Sequence, residues 1–246
     1  MISYNSIMNP DQPAQRAECI TIGRMAPDFM AQSTFGYIRL SDYRGKWVLL
    51  ASQPMAFTPV ATTEIIRVAQ YYPELQKRNV EIIGLTTDNV YANLAWVYDI
   101  YQKTGVSIPF PIIADANLQI TEEYGMLNPD RIYEETVRDA FLINPFGRIR
   151  AIVTLPVTTG RDITELIRII DSIQITEQYN LYTPADWEPG GPLIAPLPRT
   201  YDELIARVNN AESQGMQCPF WYLCYTTLPT ETNTANNLTL QPPTNN

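Results

Sequence analysis

The sequence predicts a three-layer α/β domain, because short apolar runs alternate with stretches of helical periodicity. Residues 47–51 and 80–86 are apolar and bounded by turn residues, as buried strands are. Residues 62–77 and 91–105 carry apolar side chains on one helical face. Strands alternating with helices in this way are typical of a central sheet covered by helices.

The remaining elements complete the predicted order. A hairpin turn is expected near Phe35–Gly36, a short strand over 111–115 and a short helix over 119–124. A second hairpin joins strands over 137–144 and 148–155 through a Pro-Phe-Gly turn, and an amphipathic helix follows over 162–172. The resulting order β-α-β-α-β-β-α resembles the thioredoxin-like fold, a central mixed sheet flanked by helices.

Four segments differ in composition. Residues 1–18 are polar and are predicted to form an N-terminal extension, and residues 19–177 form the α/β domain. Residues 178–225 are rich in proline and indicate an extended C-terminal arm with a short helix. Residues 226–246 are mostly Thr, Asn and Pro, a composition that does not support a packed core by itself.

Composition excludes several function classes. The net charge of −9 argues against nucleic acid or an anionic membrane as partner. The chain has no histidine, so Ser-His-Asp triads and His-ligated metal sites are excluded, and no cofactor or metal is expected. We also expect a soluble protein made in the cytoplasm, since the N-terminus lacks the apolar core of a secretory signal and no apolar stretch reaches about 20 residues.

One loop carries a recognisable pattern with its central residue changed. The run from Pro54 to Glu64 reads P-M-A-F-T-P-V-A-T-T-E. It resembles the peroxidatic loop of the peroxiredoxins, P-x-x-x-T-x-x-C, with Pro54 and Thr58 in their places. The position of the attacking cysteine is Ala61.

Several separated segments extend this resemblance over about residues 22–225. Residues 137–143 are similar to the strand that delivers an arginine to the site, and P-V-T-T-G-R at 156–161 and T-P-A-D-W at 183–187 are similar to segments of one-cysteine members. Cys218 and Cys224 resemble the C-terminal pair of archaeal members, and their surroundings are similar to a peroxiredoxin domain of spore-coat proteins.

The resemblance implies a role for each matching residue. Thr58 would hydrogen-bond the peroxide and Pro54 would shield the pocket. Arg138 and Arg161 would donate to the thiolate and the peroxide oxygens, with Arg161 held by Glu64. The alternative is that Thr58 only caps a helix and the charged residues only pack the loop.

Ala61 has no lone pair and no ionisable proton, so it cannot attack a peroxide. Either the cysteine was lost naturally or it was replaced for study. The preceding residues favour natural loss, because Gln53 and Ala56 stand where the family usually has His and Asp.

Three functions therefore stay open. The first is a catalytically dead protein acting as a self-assembling structural subunit of a spore coat, appendage or filament, as a dimer, ring or polymer linked by disulfides among Cys19, Cys218 and Cys224. Its location would then be the spore surface. The second is a thiol peroxidase for hydrogen peroxide and organic hydroperoxides, seen as a Cys-to-Ala variant at position 61. The resemblance then implies that Cys218 or Cys224 acts as the resolving cysteine. The third is a dithiol redox or chaperone module, which the six-residue cysteine spacing supports only weakly.

Overall fold

The computed structural model describes residues 20–127 and 136–228, and the chain divides into two compact units, one up to Ile163 and one from Thr164. The predicted segment boundaries at 18, 177 and 225 stay predictions. Within the described ranges, no helix is both long enough and apolar enough to cross a bilayer. The expected N-terminal extension and most of the polar tail lie outside the described residues.

The first unit is built around one mixed sheet of seven strands, in the order β2-β1-β5-β4-β3-β6-β7. Strands β3, β4 and β5 run parallel, whereas β1, β6 and β7 join antiparallel. The strands are β1 Met30–Ser33, β2 Gly36–Arg39, β3 Trp47–Ser52, β4 Val80–Thr86, β5 Ile112–Ala114, β6 Arg138–Ile143 and β7 Ile149–Leu155. The predicted hairpins are confirmed as β1–β2 and β6–β7.

Three helices connect these strands: α1 Pro59–Lys77, α2 Val90–Thr104 and α3 Gln119–Glu123. Asn89 caps α2 by accepting a hydrogen bond from the amide of Ala92, and Gly105 ends it with a φ of 73°. The expected start of α1 at residue 62 was wrong by three residues. Pro59 begins the helix, because a first-turn proline needs no hydrogen-bond donor and its φ already suits a helix.

The core lies between the sheet and its covering segments. Leu50, Ile83 and Leu85 on the central strands are fully buried, and Tyr124 and Phe141 pack edge to face in the same cluster. Burial on both faces explains why β3 and β4 read as nearly continuous apolar runs. The mixed sheet with its helices is the thioredoxin-like fold that the sequence predicts.

In its described residues, the second unit contains α5 Tyr201–Asn210, all but the first residue of α4 Ile163–Tyr179, and a small antiparallel sheet in the order β8-β10-β9. Its strands are β8 Leu193–Ile194, β9 Gln217–Phe220 and β10 Leu223–Thr226. Helix α4 runs seven residues beyond its predicted end at Ser172. The small sheet was not predicted, because its strands are only two to four residues long and carry no clear alternation of polar and apolar residues.

Candidate active site

The predicted loop lies at the carboxyl end of β3, where open α/β sheets place their binding sites. Two other segments meet it there because of the sheet register. Ala51 pairs with Ala140 in the antiparallel β6, so Arg138, at the start of β6, lies just beyond the end of β3. The chain that leaves β7 after Leu155 reaches the same edge, since Leu155 pairs with Arg138.

Ala61 lies in the first turn of α1 and is completely buried. A side chain at this position faces the helix end where the backbone amides leave a partial positive charge. A cysteine here would be stabilised as thiolate by that charge. The methyl group of Ala61 occupies the place without supplying a sulfur.

Thr58 is the residue before α1, but its side chain does not cap the helix. Its hydroxyl donates to the carbonyl of Met55 at 2.8 Å. The lone pairs of the oxygen are left to accept from a bound molecule, so the helix-cap alternative is not what the structure shows.

Glu64 holds both arginines in a buried cluster. Its Oε2 lies 3.2 Å from Arg138 Nη1 and 3.7 Å from Arg161 Nη2, and all three side chains are at most 3% exposed. Glu64 Oε1 accepts from the backbone amide of Arg161 at 2.6 Å. Residues 61 and 64 are neighbours on a helix surface, so this cluster lies beside the position of Ala61.

Each arginine is fixed by further bonds. Arg138 donates through Nε to the carbonyl of Val157 at 2.8 Å and through Nη1 to Gln53 Oε1 at 2.9 Å. Arg161 Nη2 donates to the carbonyl of Ser52, while its Nε is buried and donates to no atom of the described chain. The cluster therefore keeps a spare buried donor. Burial lowers the pKa of Arg161, and the nearby Glu64 carboxylate opposes that shift.

Pro54 is buried. Its carbonyl accepts a hydrogen bond from the hydroxyl of Thr87 at 2.9 Å. Two residues later, the amide of Ala56 donates to Asp88 Oδ2 at 2.6 Å. The loop is thus tied to the turn after β4.

Sequence reasoning missed three hydrogen-bonding residues around the site. It named Gln53 only as a departure from the family pattern, yet Gln53 is buried and bonds Arg138. It gave no role to Asp88, which accepts from the amide of Ala56, or to the buried Trp96, whose indole donates to Thr62 Oγ1 at 3.1 Å. Polar residues that follow a buried strand, as 87–89 follow β4, were the available signal for Asp88.

Cys218 and Cys224 lie in the second unit and form a disulfide with each other. The disulfides predicted between this pair and Cys19 stay predictions. Cys19 itself lies outside the described residues. Among the described residues there is no group of three or more Cys, Asp or Glu side chains arranged to hold a metal.

The structure has the thioredoxin-like fold, with one carboxylate and two guanidinium groups buried beside the first turn of α1. The family model described as AhpC/TSA family matches residues 22–152. The chain belongs to this family and is a peroxiredoxin by homology.

Relatives of known name agree with the family assignment. The chain is 50% identical over 204 residues to peroxiredoxin 2 of Caldanaerobacter subterraneus subsp. tengcongensis, covering 83% of this chain and 91% of that protein. It is 42% identical over 214 residues to a peroxiredoxin of Aquifex aeolicus, covering 82% and 95%. The solved structure of yeast mitochondrial 1-Cys peroxiredoxin superposes with a TM-score of 0.76 at 35% identity, covering 85% of this chain and 99% of that one.

These relatives correct the first functional expectation. A self-assembling structural subunit of a spore coat, appendage or filament was the leading hypothesis, and it is wrong. Relatives that share up to half of the residues over more than four fifths of the chain are named as peroxiredoxins, which are thiol peroxidases. The structural hypothesis rested on the missing sulfur at position 61, whereas the rest of the chain retains the sequence of this family.

Proposed function

We propose that this protein is built for the thiol-dependent reduction of hydrogen peroxide and organic hydroperoxides, with position 61 as the site of the attacking thiol. Ala61 replaces that thiol in this chain, so the chain as written lacks the nucleophile for the first step. The observation that carries the proposal is the buried cluster of Glu64, Arg138 and Arg161, which lies one turn along α1 from position 61.

The charge of that cluster suits the reaction. Two guanidinium groups share one carboxylate, so the cluster has a net positive charge in a site largely closed to water. A thiolate at position 61 and the oxygens of a peroxide are both stabilised by such a charge. The spare Nε donor of Arg161 and the lone pairs of Thr58 Oγ1 supply additional polar contacts.

With a cysteine at position 61, a peroxide would be reduced in two steps. The thiolate sulfur attacks one peroxide oxygen, the S–O bond forms and the O–O bond breaks. The other oxygen leaves with its substituent and takes up a proton, as water or an alcohol. The resulting sulfenic acid returns to the thiol by oxidising two equivalents of an external thiol to a disulfide, with release of water.

The test compares Ala61→Cys with the matched variant Ala61→Ser and the unaltered chain. Hydrogen peroxide consumption is followed in the presence of dithiothreitol, and the sulfenic acid is trapped at position 61 and located by mass spectrometry. We expect turnover with the cysteine variant only, since serine has the same shape but is a far weaker nucleophile. Equal peroxide consumption by the cysteine and serine variants would overturn the proposal.

A further inference from the structure

The loop that precedes α1 is hydrogen-bonded to the turn that follows β4. Two hydrogen bonds of opposite direction join them: Thr87 Oγ1 donates to the carbonyl of Pro54, and Asp88 Oδ2 accepts from the amide of Ala56. At 2.6 Å, the bond to Asp88 is in the short range typical of a hydrogen bond to a carboxylate. Such bonds are about twice as strong as those between neutral groups.

Buried and exposed residues alternate in this loop. Pro54 and Ala56 are buried, whereas Met55 and Phe57 are 37% and 55% exposed. Phe57 has a φ of 57°, in the left-handed region that is unfavourable for a bulky residue. A backbone held in such a conformation needs fixed partners, and the bond from Thr58 to Met55 is internal to the loop.

The turn after β4 is itself held in place by a chain of hydrogen bonds to buried residues. The amide of Asp88 donates to Thr86 Oγ1 at 3.3 Å, and that hydroxyl donates to Asn93 Oδ1 at 2.9 Å. Asn93 Nδ2 in turn donates to the carbonyl of Ile113 at 3.2 Å. Thr86 and Asn93 are completely buried, so the carboxylate of Asp88 projects from a rigid junction of β4 and α2.

We propose that Asp88 is a positioning residue of the pocket, whose carboxylate holds the amide of Ala56 and so fixes Thr58 and the first turn of α1. Thr58 follows Ala56 by two residues, and position 61 follows Thr58 by three. If Asp88 no longer holds the amide of Ala56, the loop loses its hydrogen bond at the residue next to Phe57, whose backbone conformation is unfavourable. The expected effect of Asp88 on peroxide reduction rests on the proposed function, whereas its expected effect on the conformation of the loop does not.

The first experiment uses the chain with Ala61 and measures amide hydrogen exchange of residues 55–58 by mass spectrometry. We expect about tenfold faster exchange in Asp88→Ala, the effect of losing a charge-assisted hydrogen bond. Asp88→Asn retains an acceptor oxygen and is expected to change exchange much less. The matched control is Asp99→Ala, which removes a carboxylate of α2 that pairs with Lys103 at the surface.

Unchanged exchange in Asp88→Ala overturns the proposal, and so does an equal increase in Asp99→Ala, because the loosening would then be general. Circular dichroism of each variant shows whether the fold is retained. If Asp88→Ala does not fold, the folded Asp88→Asn variant decides, since the proposal then requires its exchange to stay close to that of the parent.

The second experiment repeats the substitutions in the Ala61→Cys background. Asp88→Ala is expected to lower kcat/KM for hydrogen peroxide about tenfold and to raise the thiol pKa of position 61, and Asp88→Asn is expected to recover most of both. A purely structural residue would lower the melting temperature and leave the thiol pKa unchanged. If Ala61→Cys is itself inactive, the proposed function fails, while the exchange experiment still decides the role of Asp88.

Discussion

Glu64 Oε2 lies 3.2 Å from Arg138 Nη1, and the two side chains are only 3% and 2% exposed. The same oxygen lies 3.7 Å from Arg161 Nη2. A buried carboxylate flanked by two guanidinium groups gains little net stability, because the desolvation of each charge offsets much of the attraction. The removal of one partner is costly, since the remaining charges then lack compensation.

Glu64→Gln is therefore expected to lower the free energy of unfolding by about 3–5 kcal/mol. The amide keeps a carbonyl oxygen for the backbone amide of Arg161, but both guanidinium groups lose their counter-charge. Urea unfolding at neutral pH measures the difference. Glu74→Gln, on the exposed face of the same helix, is the control and is expected to have no measurable effect. Equal stability of Glu64→Gln and the parent would show that the negative charge of Glu64 does not stabilise the buried cluster.

A cysteine introduced at position 61 is expected to have a thiol pKa well below the usual value of about 8.5. Two guanidinium groups and the start of α1 favour its thiolate, whereas burial opposes it. The pH dependence of thiolate absorbance, or of the alkylation rate, measures the pKa. Ala69→Cys, in the third turn of the same helix, is the matched control and is expected to titrate near the usual value. A higher pKa at position 61 than at position 69 would mean that burial outweighs the positive charges.

More of the secondary structure than of the candidate site could be predicted from the sequence. The strands β3 and β4 were predicted because burial on both faces leaves an almost uninterrupted apolar run. The start of α1 was missed because the prediction relied on apolar periodicity, which begins only after Pro59. The pairing of Glu64 with Arg161, 97 residues apart, was inferred from a family resemblance and not from spacing.

The partners of Gln53 and Asp88 were beyond sequence reasoning for a physical reason. Gln53 reaches Arg138 only because β6 is antiparallel to β3 with a register that places Ala140 opposite Ala51. Asp88 reaches Ala56 only because β3 and β4 are parallel, so that both strands end at the same edge. Single-sequence patterns indicate strands, but they do not specify register. The disulfide partner of Cys218 was open for the same kind of reason, since three cysteines allow three pairings.

Asp139 is expected to contribute more to the free energy of unfolding as the pH is lowered, whereas most carboxylates contribute less. Burial raises its pKa, while a hydrogen bond from Thr154 and the charge of Arg161 oppose the shift. The folded state thus favours the protonated carboxyl group. Its stabilising contribution is fully present below the unfolded pKa, about 3.9, and is lost as the pH rises through the higher folded pKa.

Asp139→Asn removes this titration and keeps an oxygen that accepts from Thr154. The difference in unfolding free energy between the parent and Asp139→Asn is expected to move in favour of the parent as the pH is lowered from about 6 towards 3.5. Urea unfolding at several pH values measures it, with Asp202→Asn on the exposed start of α5 as the charge control. A shift in favour of the variant on acidification would contradict the prediction.

The two sulfurs of the disulfide are expected to differ in reactivity once they are reduced. Cys218 is half-buried, whereas Cys224 is completely buried, and its Sγ lies 3.8 Å from the carbonyl of Phe220, to which the reduced thiol can donate. A thiol reacts as its thiolate and only where the reagent can reach it, so both features protect Cys224. After reduction by a phosphine under native conditions, iodoacetamide is expected to modify Cys218 several-fold faster, as measured by peptide mass spectrometry. The same protein in urea supplies the control, in which the two rates converge because the environments no longer differ. Equal rates without urea would show that the burial of Cys224 depends on the intact disulfide and not on the packing of β10 between β8 and β9.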